Sequence, residues 1–430
     1  MFHDPSQDGN AGSNPYYWWV AGALWGAMLD YFALTGDPSY NGVVLQALLA
    51  PTNLGPNNDY MPAEHSDEEG NDDLAFWGGT SLSAAERNFP QPNANLPSWL
   101  DISINVFNQL AGRWDTAHCD GGLYWQIDAN NPNGLKYKNT VSNGGFFQLA
   151  SRLARATNNK TYIDWADKIW NWMVEVGFID SQTYRVYDGA GVDSQCRAVN
   201  NKSFTYTTGF VLYGAAVLAN HTGEDKWSQR ADKLFAEAAD YFFTGKDHNI
   251  MWEPACEPQS ICNYDMITFK GYLARYMWQT TLLMPSLRTK TESLLVPSAE
   301  AAAATCTGGD DGRQCGTKWY TGGFDGGASL GAEMCALETI QGLLSQNLAP
   351  PLLAKDIKWV RDATFTPIDT YASDVTTSIS SKRDVSPTAP PPSATTTHKA
   401  HENEATALGA DRVWALLTMV CLVFVVLRQG

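Results

Sequence analysis

Basic residues are scarce in this 430-residue chain: 29 Lys and Arg stand against 46 Asp and Glu, a formal charge of −17. Phosphate backbones are bound by clustered cations, so nucleic acid is excluded as a partner. Cysteine is sparse as well, 8 in all, and no two form the C-x-x-C pair of zinc and redox sites. No metal and no cofactor are expected. The first fifteen residues, MFHDPSQDGNAGSNP, hold neither Lys, Arg nor an apolar run, and cannot serve as a secretory leader. An uncharged apolar run from Val413 to Leu427 has fifteen residues, short of the ~20 that cross a bilayer as a helix.

Rings, by contrast, are plentiful: 16 Trp, 18 Tyr and 17 Phe. With hydrophobic residues at 44% the chain can bury a sizeable core. Aromatics suit the C–H faces of sugars, although most rings in any protein fill core.

The chain divides into three parts. Residues 1–365 carry nearly all the rings and form one large domain. Residues 366–404, which include SPTAPPPSATTT, form a Pro/Ser/Thr-rich disordered linker. Residues 405–430 hold the apolar tail, with only Arg428, Gln429 and Gly430 after it. Small residues, a polar spacer and a short terminal apolar run follow the order of a GPI-attachment signal, whose tail is exchanged for a lipid. Asn403 is the expected attachment residue, and a tail-anchored helix is the competing reading. That signal requires a leader, so the natural N-terminus is expected upstream of Met1, and the protein is expected at the cell surface or wall through the secretory pathway. Cysteine spacing fits export: Cys256 with Cys262, and Cys306 with Cys315, can close short loops, which leaves Cys119 with Cys196 as a long-range staple. Cys335, in the apolar pattern GAEMCALETIQGLL, is expected to be a buried free thiol. Other connectivities stay open. N-glycosylation sequons stand at Asn159, Asn201 and Asn220, a number that chance alone supplies.

A repeat organises the large domain. TGDPSYNGVVLQALL from Thr35, TNNKTYIDWADKIW from Thr157 and TGEDKWSQRADKLF from Thr222 share one plan. A helix ends, Gly or Asn makes the turn, and a second helix opens with an aromatic followed by apolar residues at i+3, i+4 and i+7. NLPSWLDISINVFNQL is a fourth case, with Pro97 placed for a helix start. Tyr40, Trp99, Tyr162 and Trp227 are then 59, 63 and 65 residues apart. A near-constant period of that size means stacked α-hairpins, and the length holds six, which closes an all-α (α/α)6 toroid. The intervening Gly-, Asn- and Asp-rich segments cannot bury their own backbone groups and belong at one rim, where function is to be sought.

One such segment leads into Asn71-Asp72-Asp73, followed by LAFWGGTSLSAAE. Two readings compete. An Asn cap with two acids in the first turn favours the positive end of the helix dipole. Alternatively, adjacent carboxyls in the company of Tyr60, Phe76 and Trp77 can stand ~5 to 6 Å apart, the spacing of retaining glycosidases, and one of such a pair keeps its proton toward neutral pH. Asp310-Asp311 is a second pair, in a Gly-rich turn, for which no chemistry suggests itself. Helical isoprenoid enzymes also use paired Asp, but they need D-D-x-x-D, and position 76 is Phe.

The blocks NPYYWWVAGALWGAMLDYFALTGDPSYN, NDYMP, EGNDDLAFWG, AAERNFP, GGLYWQI, YKNTVSNGGFFQLASRLARAT, WADKIWNWM, YDG, MWEPACE, TFKGYLAR and CGTKWY run from Asn14 to about Leu343. They strongly resemble fungal cell-surface members of glycoside hydrolase family 76, GPI-anchored endo-α-1,6-mannosidases of cell-wall assembly. The resemblance implies an (α/α)6 barrel with Asp72 and Asp73 as the catalytic pair, Asp72 attacking the anomeric carbon and Asp73 acting as acid and then base. It implies α-mannan or the glycan of a GPI anchor as donor, water or a hydroxyl of β-glucan as acceptor, and a monomer tethered to the membrane through a GPI lipid. Trp77, Trp125, Tyr137, Trp252 and Trp319 become candidates for stacking on sugar faces, and Asn143 and Asp265 for bonding hydroxyls. Asn143 could equally satisfy a turn backbone. Relatives carry a further helix ahead of NPYYWW, so the first helix of the toroid is expected to be missing and one position in its wall open. They also tend to have Asn at the place of Thr207. The rival function is a non-catalytic glycan-binding protein on the same fold.

Overall fold

The computed structural model describes residues 17–358, apart from 68, 92–94, 132–133 and 245–248. The linker, the tail and Asn403 lie outside the described residues. In chain order the helices are α1 (Trp18–Thr35), α2 (Asn41–Leu49), the single turn α3 (Pro51–Leu54), α4 (Asn71–Glu86), α5 (Trp99–Gly112), α6 (Thr140–Thr157), α7 (Lys160–Glu175), α8 (Thr205–Thr222), α9 (Asp225–Tyr241), α10 (Tyr264–Leu283), α11 (Arg288–Thr305) and α12 (Leu330–Gln341).

Helices α1, α4, α6, α8, α10 and α12 pack side by side into an inner ring that closes from α12 back to α1. Outside them lie α2, α5, α7, α9 and α11, each paired with the inner helix before it in sequence. The chain is an all-α toroid. Five hairpins are complete, and α12 is an inner helix with no outer helix following it among the described residues. Burial separates the two rings. Helix α8 is buried on every side from Thr205 to Ala219, whereas α9 buries only the stripe Trp227, Ala231, Leu234, Phe235 and Ala238, as an amphipathic surface helix does. Two concentric cores result: Leu45, Trp99, Ile169 and Trp227 belong to the cluster between the rings, and Phe76, Phe210, Tyr213, Tyr272 and Tyr276 to the one along the axis.

The three Thr turns are built alike. Thr35, Thr157 and Thr222 close α1, α6 and α8, and each is followed by a left-handed residue: Gly36 (φ 72°), Asn158 (φ 56°) and Gly223 (φ 68°). Glycine and asparagine are the residues that tolerate this conformation. Each Thr hydroxyl donates to the carbonyl four residues back and accepts the N–H two residues on. The fourth hairpin opens at Trp99 behind Ser98, whose hydroxyl accepts the Asp101 N–H. At this turn end of the ring, buried ion pairs link inner helices: Arg152 to Glu86 at 2.8 Å and Arg275 to Asp30 at 2.6 Å.

The opposite rim carries a small antiparallel sheet in the order β1 (Tyr137–Asn139), β2 (Gly189–Gly191), β3 (Val199–Asn200), with Tyr137 opposite Gly191 and Gly189 opposite Asn200. The disulfides join Cys119 to Cys196, Cys256 to Cys262 and Cys306 to Cys315, as spacing suggested, and Cys335 is a buried free thiol.

Candidate active site

Every inner helix begins at the rim, so segments far apart in sequence meet around one opening. Helix α4 enters it after Gly70, whose backbone (φ −105°, ψ 162°) is ordinary extended chain. Asp73 Oδ2 accepts the Gly70 N–H at 2.5 Å. The capping role thus falls to Asp73, and Asn71 is the first residue of the helix instead of its cap. Asp72 Oδ2 accepts the indole N–H of Trp125 at 2.9 Å, while Asp72 Oδ1 is buried without a hydrogen-bond partner. A Cβ added to Gly70 would lie 2.2 Å from Asp72 Oδ1 and 3.2 Å from Asp73 Oδ2. The two oxygens are therefore no farther apart than the sum of these distances, within the ~5.5 Å carboxyl separation of a double displacement.

Electrostatics divide the pair. Burial pushes Asp72 up to about 7, opposed by the Trp125 hydrogen bond and by the nearby backbone N–H groups of Asp72 and Asp73, which favour its carboxylate. Asp73 is raised well above its ordinary value by burial first, then by the charge on Asp72, with Glu69 and Asp265 adding to it. One proton is retained, and Asp73 is its better holder. Asp265, in the first turn of α10, is raised to about 6 by burial and accepts the Trp19 indole N–H at 3.2 Å.

The loop that brings Trp125 to Asp72 is pinned on several sides. Trp125 N–H donates to Tyr137 O at 2.8 Å, and Trp125 O accepts the Asn71 N–H at 2.8 Å. Beneath it, the fully buried Lys138 ammonium meets Asp115 Oδ2 at 2.8 Å and the carbonyls of His118 and Gly121 at 2.7 and 2.6 Å. The Cys119–Cys196 bond ties the same loop to the segment after β2.

The other candidates separate clearly. Tyr137 is half-buried at the rim and gives its hydroxyl to Asp188 Oδ2 at 2.7 Å. Trp252 is half-buried, edge-on to Tyr320 at 6.1 Å, and donates to Tyr241 O. Three of the expected sugar contacts are buried side chains. Trp77 is wholly buried, stacked between Trp18 and Tyr60 at 5.1 and 4.9 Å. Trp319 is wholly buried beneath the Lys270 ammonium, 3.9 Å from its ring. Asn143 is wholly buried and serves backbone, bonding Leu123 N–H and the carbonyls of Leu123 and Asn139. Thr207 is also buried, its hydroxyl on Phe204 O at 3.1 Å. All three sequon asparagines, Asn159, Asn201 and Asn220, are exposed, and Asn220 also gives its amide to Leu283 O.

Two acids and a tyrosine carry no signal in the sequence alone. Asp188, in the YDG block, holds Tyr137 Oη and Asn200 Nδ2 on one oxygen, at 2.7 and 2.9 Å. Glu253, in the MWEPACE block, is buried and takes both the N–H and the hydroxyl of Thr205 at the start of α8. Tyr206, stacked on Phe269 at 3.7 Å, has its phenol held neutral by burial and by the charges of Asp188, Asp72, Asp265 and Glu253. Single acids in Gly- and aromatic-rich loops carry no local pattern. Among the described residues no group of three or more His, Cys, Asp or Glu could hold a metal ion.

Comparison with known proteins adds to this geometry. Residues 2–355 match the model of glycosyl hydrolase family 76. The mannan endo-1,6-alpha-mannosidase DCW1 of Candida glabrata is 45% identical over 340 residues, covering 79% of this chain and 75% of that protein. Its Saccharomyces cerevisiae namesake is 45% identical over 345 residues, 80% of this chain and 75% of that one. Among solved structures, Dfg5 from Chaetomium thermophilum in complex with glucosamine superposes with a TM-score of 0.78 at 39% identity, over 83% of this chain and 87% of that one. An inactive variant of the α-1,6-mannanase GH76A of Salegentibacter sp. HEL1_6, bound to α-1,6-mannotriose, shares the fold with a TM-score of 0.60 at 20% identity, over 78% and 91% of the two chains.

Proposed function

Since this chain belongs to glycosyl hydrolase family 76 and is a glycoside hydrolase, we propose that it cleaves α-1,6-mannosidic bonds within mannan chains with retention of configuration. The observation that carries the mechanism is the pair of adjacent, half-buried carboxyls that crowd Gly70 at the head of α4, one with a buried oxygen that has no hydrogen-bond partner and the other with its proton affinity raised. Asp72 Oδ1 attacks the anomeric carbon as the bond to the leaving oxygen breaks, and that oxygen takes the proton of Asp73. A covalent mannosyl ester on Asp72 results. Asp73, now a carboxylate, removes a proton from the incoming hydroxyl, which attacks the same carbon and frees Asp72. Trp125 holds the other oxygen of Asp72 throughout. Asp188 and Asp265, anchored on one side by rim donors, are the acceptors for sugar hydroxyls, and Tyr137, Trp125 and Trp252 the rings that flank the chain.

Water as the incoming group gives hydrolysis. A hydroxyl of β-glucan gives transfer instead, with the mannose-containing glycan of a GPI anchor as donor, and this is the reaction we assign to the protein in cell-wall biogenesis. Its place is the cell surface, held through the lipid added at Asn403 or released into the wall. NMR of the first-formed product from an α-1,6-mannooligosaccharide tests the mechanism: the α anomer is expected, and a β anomer refutes the double displacement. Transfer is checked by offering a labelled β-glucan oligosaccharide with the donor, where absence of any labelled adduct overturns the transferase reading.

A further inference from the structure

Asn71 is adjacent to the reactive pair, yet the mechanism gives it nothing to do. Its side chain is buried and hydrogen-bonded at both its oxygen and its nitrogen. Asn71 Oδ1 accepts Arg113 Nε at 2.8 Å, Asn71 Nδ2 donates to Tyr124 O at 2.9 Å, and Asn71 N–H donates to Trp125 O at 2.8 Å. Arg113 follows the last residue of α5, an outer helix, and its Nη1 donates to Gln109 Oε1 at 3.0 Å. Gln109 in turn donates to Asp59 Oδ2 at 2.8 Å. A polar chain therefore runs from the outer ring through Asn71 into the two rim carbonyls that flank the Trp125 peptide, and the Trp125 indole ends it on Asp72 Oδ2.

From this we propose that Asn71 and Arg113 are a positioning pair, which holds the Tyr124–Trp125 segment so that the Trp125 indole stays on the carboxylate of Asp72. The inference rests on Asp72 being the nucleophile, as proposed above. The amide at position 71 meets two demands at once, an acceptor toward Arg113 and a donor toward the Tyr124 carbonyl, which a carboxylate cannot. Aspartate has the same shape and would keep Arg113 as an ion pair, so the helix start should fold. It would, however, set a carboxylate oxygen against the Tyr124 carbonyl, push the rim segment away and add a negative charge beside Asp72 and Asp73.

The test is kinetic, on the full-length enzyme with α-1,6-mannotetraose, and compares wild type, Asn71→Asp, Trp125→Phe and the double variant. Asn71→Asp is expected to lower kcat by about 10- to 100-fold, the cost of misplacing a reacting group by a fraction of an ångström to one ångström, with KM nearly unchanged. Its acidic limb of kcat against pH is expected to move to higher pH, because the added charge opposes ionisation of Asp72. Since Asn71 positions Asp72 through Trp125, the double variant should be no slower than the slower single variant when both are compared on the plateau above the acidic limb, where the added charge no longer suppresses ionisation of Asp72. Losses that multiply, or an unmoved pH limb, would overturn the proposal and leave Asn71 a fold-stabilising residue. Should Asn71→Asp not fold, Arg113→Gln enters the same cycle with Trp125→Phe under the same criteria. An inactive wild type, or full activity in Asp72→Asn, would sink the catalytic assignment itself and is distinguishable from either result.

Discussion

Replacing Gly70 by alanine isolates the geometry of the carboxyl pair from the stability of the fold. The new methyl would stand 2.2 Å from Asp72 Oδ1, where ordinary van der Waals contact begins at 3.4 Å. It would also stand 3.1 Å from Trp125 O, so the carboxylate and not the rim carbonyl has to make most of the room. Asp72 must then swing by roughly 1 Å, and a displacement of that size at a reacting atom costs about 10²-fold in rate. The backbone offers no objection, because φ −105° and ψ 162° suit alanine, and the loss of unfolded-state freedom favours the variant by about 0.4 to 1 kcal/mol. Purified Gly70→Ala should therefore melt near the wild-type temperature while kcat on α-1,6-mannotetraose falls about 100-fold. A folded variant that turns over within about threefold of wild type would show that Asp72 is not the attacking group, or that its position is not held as described.

Asp73→Asn is expected to abolish turnover yet stabilise the fold increasingly as pH rises. An acid raised in the folded state binds its proton more tightly there than in the unfolded chain, so its contribution is full below the unfolded value of ~3.9 and is lost as pH climbs toward the folded value. Asparagine escapes that loss, and the difference in Tm between variant and wild type should widen from pH 4 to pH 8; a constant difference contradicts the raised Asp73. Removal of the Cys119–Cys196 bond by paired alanine substitution opens a link between residues 77 positions apart, and should cost about 2 to 5 kcal/mol by denaturant unfolding. Activity should fall even where the fold survives, since the loop carrying Trp125 loses an anchor; unchanged kcat in the folded variant argues against that dependence. Trp77→Ala should destabilise by about 3 to 5 kcal/mol through the cavity left between Trp18 and Tyr60, with KM for oligosaccharides unchanged below the melting range. A large rise in KM there would restore Trp77 as a sugar contact.

Much of this architecture is written in local pattern. Thr35, Thr157 and Thr222 mark hairpin turns because a left-handed Gly or Asn after a helical threonine is a short-range requirement. The disulfides were legible for a related reason: two pairs close short loops, and elimination left the third. The adjacent aspartates stood out as a motif, but the acid that caps α4 is Asp73, and Asn71 turns to the rim and to Arg113 instead. Trp77 and Trp319 look like binding rings in sequence because composition cannot say which face of a segment a ring takes. Packing decided it, by placing Tyr60 and Lys270 over them.

By itself, then, the sequence determined the helical hairpins, the two short disulfide loops and the two carboxyls at the head of one inner helix, since each of these depends on residues within a few turns of one another. Tertiary structure alone decided that Trp125 would bind Asp72, that Asp188, Asp265 and Glu253 would gather around Tyr206, and that burial would hold a proton on Asp73. These groups lie in the first turns of inner helices α4, α8 and α10 or on the rim segments that lead into α6, α8 and α10. They meet only because the ring closes with every inner helix starting at the same end, and a carboxyl's proton affinity depends on the charges and solvent that closure leaves around it.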